Sequence, residues 1–506
     1  WSSDVCSSDL KDYDPSKRYA LEVDLHAGSG LTWRAGWIDG RPSAYPAKAD
    51  KLPRIWISPC GRGNNSYSAM GEVAVMDAIH DVQAHYSVDA NRVLIGGASM
   101  GGTGGFRLSA LHPDVFAAAN SLTGGADYGV PAGNGRFDGY LLADNYCHTG
   151  LCIWDAPKDG HFAKNRAFAD QLRARSTRFP GCYPHLELTD ANGAHGIIDG
   201  KLREEGWRWL RQQVRDPFPK RVVFKTYNLR YDGAYWVRID TMKNALAPAR
   251  IEAEVRNDNT VTISTENVGH FHLDLVKELL GDNRPGSITI NASEPITIPT
   301  GGRIHFAEAN GRWETSSERW PSGLVKKHGL SGPVQDVFME QPVLMVWGTA
   351  EGRDEPAGQA LVEEAVRRLF GPADGARILH TSFERKADRD VTAEDIADKN
   401  LVLFGTPQQN RFVKQIEGKL PVKFLNDGVE LSGKTHRGEN IGLIMVYPNP
   451  LNPERYVLLL PESYMGGDPM SYPDYMVVRT VQRQNITQQQ VIEQGSFGGD
   501  WRISPK

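Results

Sequence analysis

A chain of 506 residues, 40% hydrophobic and 24% charged, has the make-up of a globular protein with room for about three domains. Its net charge of −5 offers no basic footprint for nucleic acid. No apolar run approaches the roughly 18 residues that cross a bilayer, so neither a nucleic-acid partner nor a membrane span is expected.

Residues 1–10, Trp-Ser-Ser-Asp-Val-Cys-Ser-Ser-Asp-Leu, look like one reading frame of a common sequencing-adapter oligonucleotide and are left out of the fold reasoning. On this reading the natural N-terminus lies upstream, and the lack of a signal peptide carries no information about export. Residues 11–218 alternate strand and helix patterns, as in an α/β domain with a mainly parallel sheet. Strands are predicted at 19–25 and 54–58, and an amphipathic helix at 71–86 with Val73, Val75, Met76, Ile79 and Val82 at helical spacing. The run Arg92-Val-Leu-Ile-Gly-Gly-Ala-Ser-Met-Gly-Gly102 is a strand that ends in glycines and passes into a helix. Short strands follow at 151–154 and 185–188, each ending before a polar cluster, and a helix at 207–214 closes the domain.

From about Arg221 the apolar period changes to two, with half-buried strands predicted at 234–240, 250–255, 260–264 and 287–290. This predicts a β-sandwich that, with its connection, fills 219–334. The apolar runs 342–347 and 401–404 suit strands covered on both faces. With a helix at 358–370 between them, they predict a second, smaller doubly wound α/β domain over 335–506.

Gly97-Ala98-Ser99-Met100-Gly101 is a G-x-S-x-G nucleophile elbow in its required strand, turn and helix context. A serine hydroxyl needs an imidazole to take its proton, and the imidazole needs an acceptor that fixes its tautomer. On a sheet of this kind the partners follow in the order Ser, acid, His, on loops beyond later strands. The strand at 151–154 runs into Asp155-Ala-Pro-Lys-Asp159, and Asp159 is favoured as the acid over Asp155. The strand at 185–188 runs into Asp190-Ala-Asn-Gly-Ala-His195-Gly196, which makes His195 the base, ahead of His161 and His112. The oxyanion hole is expected from the N–H of Met100 and a second donor in the loop 26–30, from Ala27 or Gly28.

Leu25-His-Ala-Gly28, the segment from Val88 to Gly102, the Asp159 loop and Gly193-Ala-His-Gly196 together resemble the prolyl oligopeptidase-related branch of the α/β-hydrolase family. The likeness is to feruloyl esterases and polyhydroxybutyrate depolymerases, and it covers about 11–215. That family usually carries His-Gly ahead of its acid, where this chain has Asp155-Ala. The resemblance implies an α/β-hydrolase fold and a serine esterase that uses no metal or cofactor. Its substrate would be a carboxylic ester, on polysaccharide or polyester. A serine peptidase of the prolyl oligopeptidase type is the alternative, and an inactive binding or scaffold protein is the alternative of another class.

Cys60, Cys147, Cys152 and Cys182 lack metal spacing and suit either two disulfides in an exported enzyme or buried thiols, with export preferred. Three weaker features remain: the Gly-Thr pairs at 348 and 405, the proline-rich run 447–453 as crevice lining, and Trp236, Trp313 and Trp320 as a carbohydrate platform. Loop structure and core packing are the favoured uses of these.

Overall fold

The computed structural model describes residues 13–28, 54–126, 140–256, 260–280, 286–297, 302–350, 352, 354–370, 382–464, 472–483 and 486–503. The adapter-like residues 1–10, and Ser29 and Gly30 of the loop 26–30 expected to supply an oxyanion donor, lie outside them.

The N-terminal part is built on a six-stranded sheet. Its elements in chain order are β1 (Tyr19–Leu25), β2 (Arg54–Ile57), α1 (Met70–His85), β3 (Val88–Ala98), α2 (Met100–Leu111), β4 (Ala118–Leu122), β5 (Gly150–Asp155), α3 (Phe162–Arg178), β6 (His185–Thr189) and α4 (Gly200–Leu210). The strand order is β2-β1-β3-β4-β5-β6 and every neighbouring pair is parallel. Parallel strands require crossovers, and the helices between them cover the sheet. One face packs Leu21, Val23, Ile95 and Ile153 with Val75, Ile79, Phe106 and Phe168. The other closes over Leu94, Cys152 and Trp154 with Trp207 and Leu210 of α4.

Two elements depart from the sequence reading. The central strand β4, Ala118-Ala-Asn-Ser-Leu122, was not anticipated, because its small residues lack the β-branched signature of a strand. It forms because β3 and β5 pair with it on both sides. The closing helix lies at 200–210 rather than 207–214, since the Asp199 side chain caps it by accepting the N–H groups of Lys201 and Leu202.

Two further sheets follow. One has the order β13-β11-β10-β7 and the other β15-β14-β12-β9-β8, from β7 (Arg221–Thr226), β8 (Gly233–Ala234), β9 (Val237–Met242), β10 (Ala249–Val255), β11 (Val261–Glu266), β12 (Val268–Leu275), β13 (Ile288–Ile290), β14 (Gly302–Ala309) and β15 (Arg312–Ser316). Both contribute to one apolar core that holds Ile251, Ile263, Phe271 and Phe306. Trp236 and Trp313 are buried in that core, and Trp320 lies under the cations of Arg319 and Lys327. These three rings therefore form no shared platform. Asn145 ties the first sheet system to the second: its amide donates to the carbonyls of Ala110 and Lys225 and accepts the Lys225 N–H.

The C-terminal sheet has seven strands and mixed direction. Glu384–Ala387, Val343–Trp347, Asn400–Phe404 and Asn452–Leu460 are parallel, whereas Ile441–Asn449, Tyr475–Arg483 and Ile486–Gly495 run antiparallel beside them. The expected doubly wound sheet is thus corrected to a mixed one, with parallel pairing confined to one half of it. The proline-rich run explains the change: Asn449 pairs with Asn452 across a two-residue hairpin turn, a connection only antiparallel strands can use. The Gly-Thr pairs are engaged in loop structure, with Thr349 bonded to Asp388 and Thr406 to Gln409.

Candidate active site

Ser99 stands between β3 and α2 with φ 54° and ψ −114°, a backbone geometry that side chains rarely adopt. It is held there by its N–H, which donates to the Leu122 carbonyl at 2.8 Å, and by its carbonyl, which accepts the Thr103 N–H at 3.0 Å. The flanking glycines are dictated by space. A Cβ on Gly97 would lie 2.0 Å from the Leu25 carbonyl oxygen, and one on Gly101 would lie 1.9 Å from the same atom. The elbow and the start of α2 thus press against the end of β1, where only hydrogen fits.

His195 lies at the tip of a tight turn closed by paired hydrogen bonds between Ala194 and Ile197, with Gly196 at φ 73°. The base of that loop is held by the Asp190 carboxylate, which accepts the N–H groups of Asn192 (2.9 Å) and Asp199 (2.8 Å). His195 Nε2 is 2.8 Å from Ser99 Oγ, and its Nδ1 is hydrogen-bonded to Asp159 Oδ2. Asp159 has a side chain only 1% exposed, and its second oxygen accepts the His161 N–H at 2.7 Å. The imidazole is half exposed (51%).

The rival residues have other partners. Asp155, at the end of β5, takes the Arg166 guanidinium through two contacts of 3.2 Å and the Thr189 hydroxyl at 2.8 Å. Burial pushes its carboxyl up from the usual range against those partners. His112 sits against Glu72 Oε1 at 3.0 Å and the Tyr231 ring, outside the cluster. His161 is a neighbour rather than a member, with its ring centroid 6.3 Å from that of His195.

Met100 opens α2, where a helix leaves its first N–H groups without internal acceptors. Gly28 lies against it: a Cβ at Gly28 would be 3.5 Å from Met100 Cβ. The loop after β1 therefore packs against the first residue of α2, which follows Ser99 directly. His26 anchors this loop, its ring nitrogens 3.0 Å from the Ala27 carbonyl and 2.9 Å from the Cys60 carbonyl. Burial holds the His26 imidazole below its usual range.

Sequence reasoning missed Thr123. This residue is fully buried at the end of β4 with φ 54°, an outlier for a β-branched side chain. Its hydroxyl donates to the Leu122 carbonyl at 2.7 Å and accepts the Gly196 N–H at 2.9 Å. The Leu122 carbonyl also receives the Ser99 N–H, so one short chain of hydrogen bonds links the serine backbone to the residue after His195. The only signal in the sequence was its place just past a strand, and that strand was itself unread.

A parallel sheet, a strained serine elbow and acid and histidine loops beyond later strands are now together. This part of the chain has the α/β-hydrolase fold. No protein-family model matches the chain, and no curated protein sequence does. Solved structures similar to it include a thermostable esterase (20% identity, 40% of this chain and 57% of that one, TM-score 0.30). A ferulic acid esterase (14% identity, 39% and 85%, TM-score 0.28) and a Mycobacterium tuberculosis puromycin-hydrolysing peptidase (16% identity, 39% and 34%, TM-score 0.27) are also similar. The chain spans a little over half the length of the thermostable esterase.

Cys147 and Cys182 form a disulfide, whereas Cys60 and Cys152 are not disulfide-bonded. One bridge therefore replaces the two that an even cysteine count allowed. Among the described residues no helix is long and apolar enough to cross a membrane.

Proposed function

We propose that the chain is a serine hydrolase that cleaves carboxylic esters through an acyl-enzyme on Ser99. The observation that carries this reading is the 2.8 Å contact between Ser99 Oγ and His195 Nε2, on an imidazole whose Nδ1 is bonded to the buried Asp159. His195 Nε2 takes the Ser99 proton as Oγ attacks the ester carbonyl, and Asp159 stabilises the imidazolium that forms. The oxyanion meets the N–H of Met100 and a second N–H from Ala27 or Gly28. On collapse, His195 returns the proton to the departing alkoxide, which leaves as an alcohol. Water, activated by the same imidazole, then releases the acid and restores Ser99.

The resemblance of the loop motifs to those of feruloyl esterases and depolymerases supports ester preference, with a polysaccharide-linked or polyester substrate. An amide is the harder substrate, because its amine must be protonated by His195 as it departs. The catalytic unit is residues 11–218, with 219–334 and 335–506 as appended units. The Cys147–Cys182 bridge supports an oxidising compartment and hence export.

A fluorophosphonate probe should label wild-type protein at Ser99 and leave Ser99→Ala unlabelled. The substitution should also lower hydrolysis of a p-nitrophenyl ester by ~10⁴–10⁶. Activity within tenfold of wild type in Ser99→Ala would rule the site out. Comparable kcat/KM on methyl ferulate and on a proline-containing peptide amide would favour the peptidase alternative.

A further inference from the structure

A second convergence of reactive side chains lies in the β-rich part, away from Ser99. Along β12 and β14, Phe271 and Phe306 pair with one another and face the apolar core. Successive side chains of a strand point to opposite faces, so the adjacent pair His272 and His305 lies on the outer face. The pairing of β9 with β12 slips at this level: Ile239 pairs with Phe271 and Thr241 with His270, and Asp240 is passed over. An irregularity of this kind re-aims a side chain. Here Asp240 Oδ2 comes to lie 2.9 Å from His272 Nδ1 and 3.9 Å from His305 Nδ1. Three donor atoms from three strands are therefore all within 4.8 Å of one another.

We infer that Asp240, His272 and His305 form a site for a divalent transition-metal ion of the zinc type. Two imidazole nitrogens and one carboxylate oxygen are a donor set that zinc accepts, with a further position left for water. Metal–ligand bonds of about 2.0–2.1 Å place tetrahedral donors about 3.3 Å apart, and the two distances to Asp240 Oδ2 bracket that value. An independent observation points the same way: His305 Nδ1 is buried and has no hydrogen-bond partner. The other carboxylate oxygen, Oδ1, also lies 2.9 Å from His272 Nδ1 and accepts Arg319 Nε at 2.6 Å, which orients the carboxylate. Arg319 also contacts Asp232 at 3.3 Å, which tempers its charge beside a cation. A bound ion would clip β9, β12 and β14 together and, through Arg319, fix the segment after β15 across that face. It has no part in the serine chemistry.

The test uses the full chain, stripped with a chelator and titrated with cobalt(II) and then zinc. One equivalent of cobalt should bind with the visible absorption of a four-coordinate ion. Zinc should displace it and raise the melting temperature. His305→Ala should fold, because its side chain is 20% exposed on the outer face, and should lose the cobalt absorption with a fall in zinc affinity of at least ~10–100-fold. His305→Gln, closer in size, gives the same readout should the alanine variant be unstable. No binding by wild-type protein, or equal affinity in wild type and the His305 variants, overturns the inference.

Discussion

Replacing Asp159 with Asn should cost about four powers of ten in kcat, because an amide cannot make both bonds that the carboxylate makes. Asp159 accepts two N–H groups, the backbone of His161 at 2.7 Å on one oxygen and His195 Nδ1 on the other. Asparagine has one acceptor and one donor at those two positions. The His161 N–H belongs to the turn that opens α3 and cannot rotate away, so the amide oxygen goes to it and the NH₂ group faces His195. The imidazole must then present a lone pair at Nδ1 and carry its proton on Nε2, the tautomer that cannot take a proton from Ser99. Loss of the correct tautomer in a serine triad costs ~10⁴ in kcat, or about 5 kcal/mol of barrier at 1.36 kcal/mol per tenfold. Asp155→Asn is the matched control. It weakens the contacts to Arg166, which keeps Glu187 at 2.5 Å. Its cost should fall on stability, on the order of 1–3 kcal/mol, with kcat of the folded protein within tenfold of wild type. The assay is steady-state hydrolysis of a p-nitrophenyl ester beside a denaturant melt for each variant. Retention of kcat within tenfold in Asp159→Asn, or its collapse only in Asp155→Asn, would refute the argument.

Gly101→Ala puts a methyl group 1.9 Å from the backbone carbonyl oxygen of Leu25. It should destabilise the protein by more than ~3 kcal/mol or displace the oxyanion loop, and a melt combined with fluorophosphonate labelling distinguishes the two. Thr123→Val keeps the β-branched shape and strands the Gly196 N–H, a loss of ~1–3 kcal/mol. It should therefore lower kcat by roughly ten- to a hundredfold with KM little changed, while Thr123→Ser restores it; equal kcat in both variants would reject the positioning role. His26 is held below its usual value by burial, so the unfolded chain binds its proton first as pH falls. The stability it contributes is therefore complete above its unfolded value of about 6.5 and declines as pH falls below it. His26→Gln should flatten the melting-temperature slope between pH 7 and 5, and an unchanged slope would show that other groups carry it.

Local sequence made the candidate residues Ser99, Asp159 and His195 legible because they sit at strand ends, where the apolar run and the polar loop after it are both written in consecutive residues. Ser99 between glycines, Asp159 beyond β5 and His195 beyond β6 are of this kind, and so are the strands β1, β2, β3, β5 and β6 around them. What sequence left open was decided by partners distant in the chain. Sequence favours Asp159 over Asp155 without separating them, and the partners do so: Arg166 and Thr189 hold Asp155, whereas His161 and His195 hold Asp159. β4 has no strand signature of its own and exists because two neighbours pair with it, and Thr123 becomes legible only with that strand. The C-terminal sheet changes direction through a two-residue turn whose consequence depends on which strands it joins. Asp240 meets His272 and His305 only because three strands bring together residues more than thirty positions apart. A periodic pattern fixes which face a side chain takes, whereas the identity of the group it meets across that face is set by tertiary pairing.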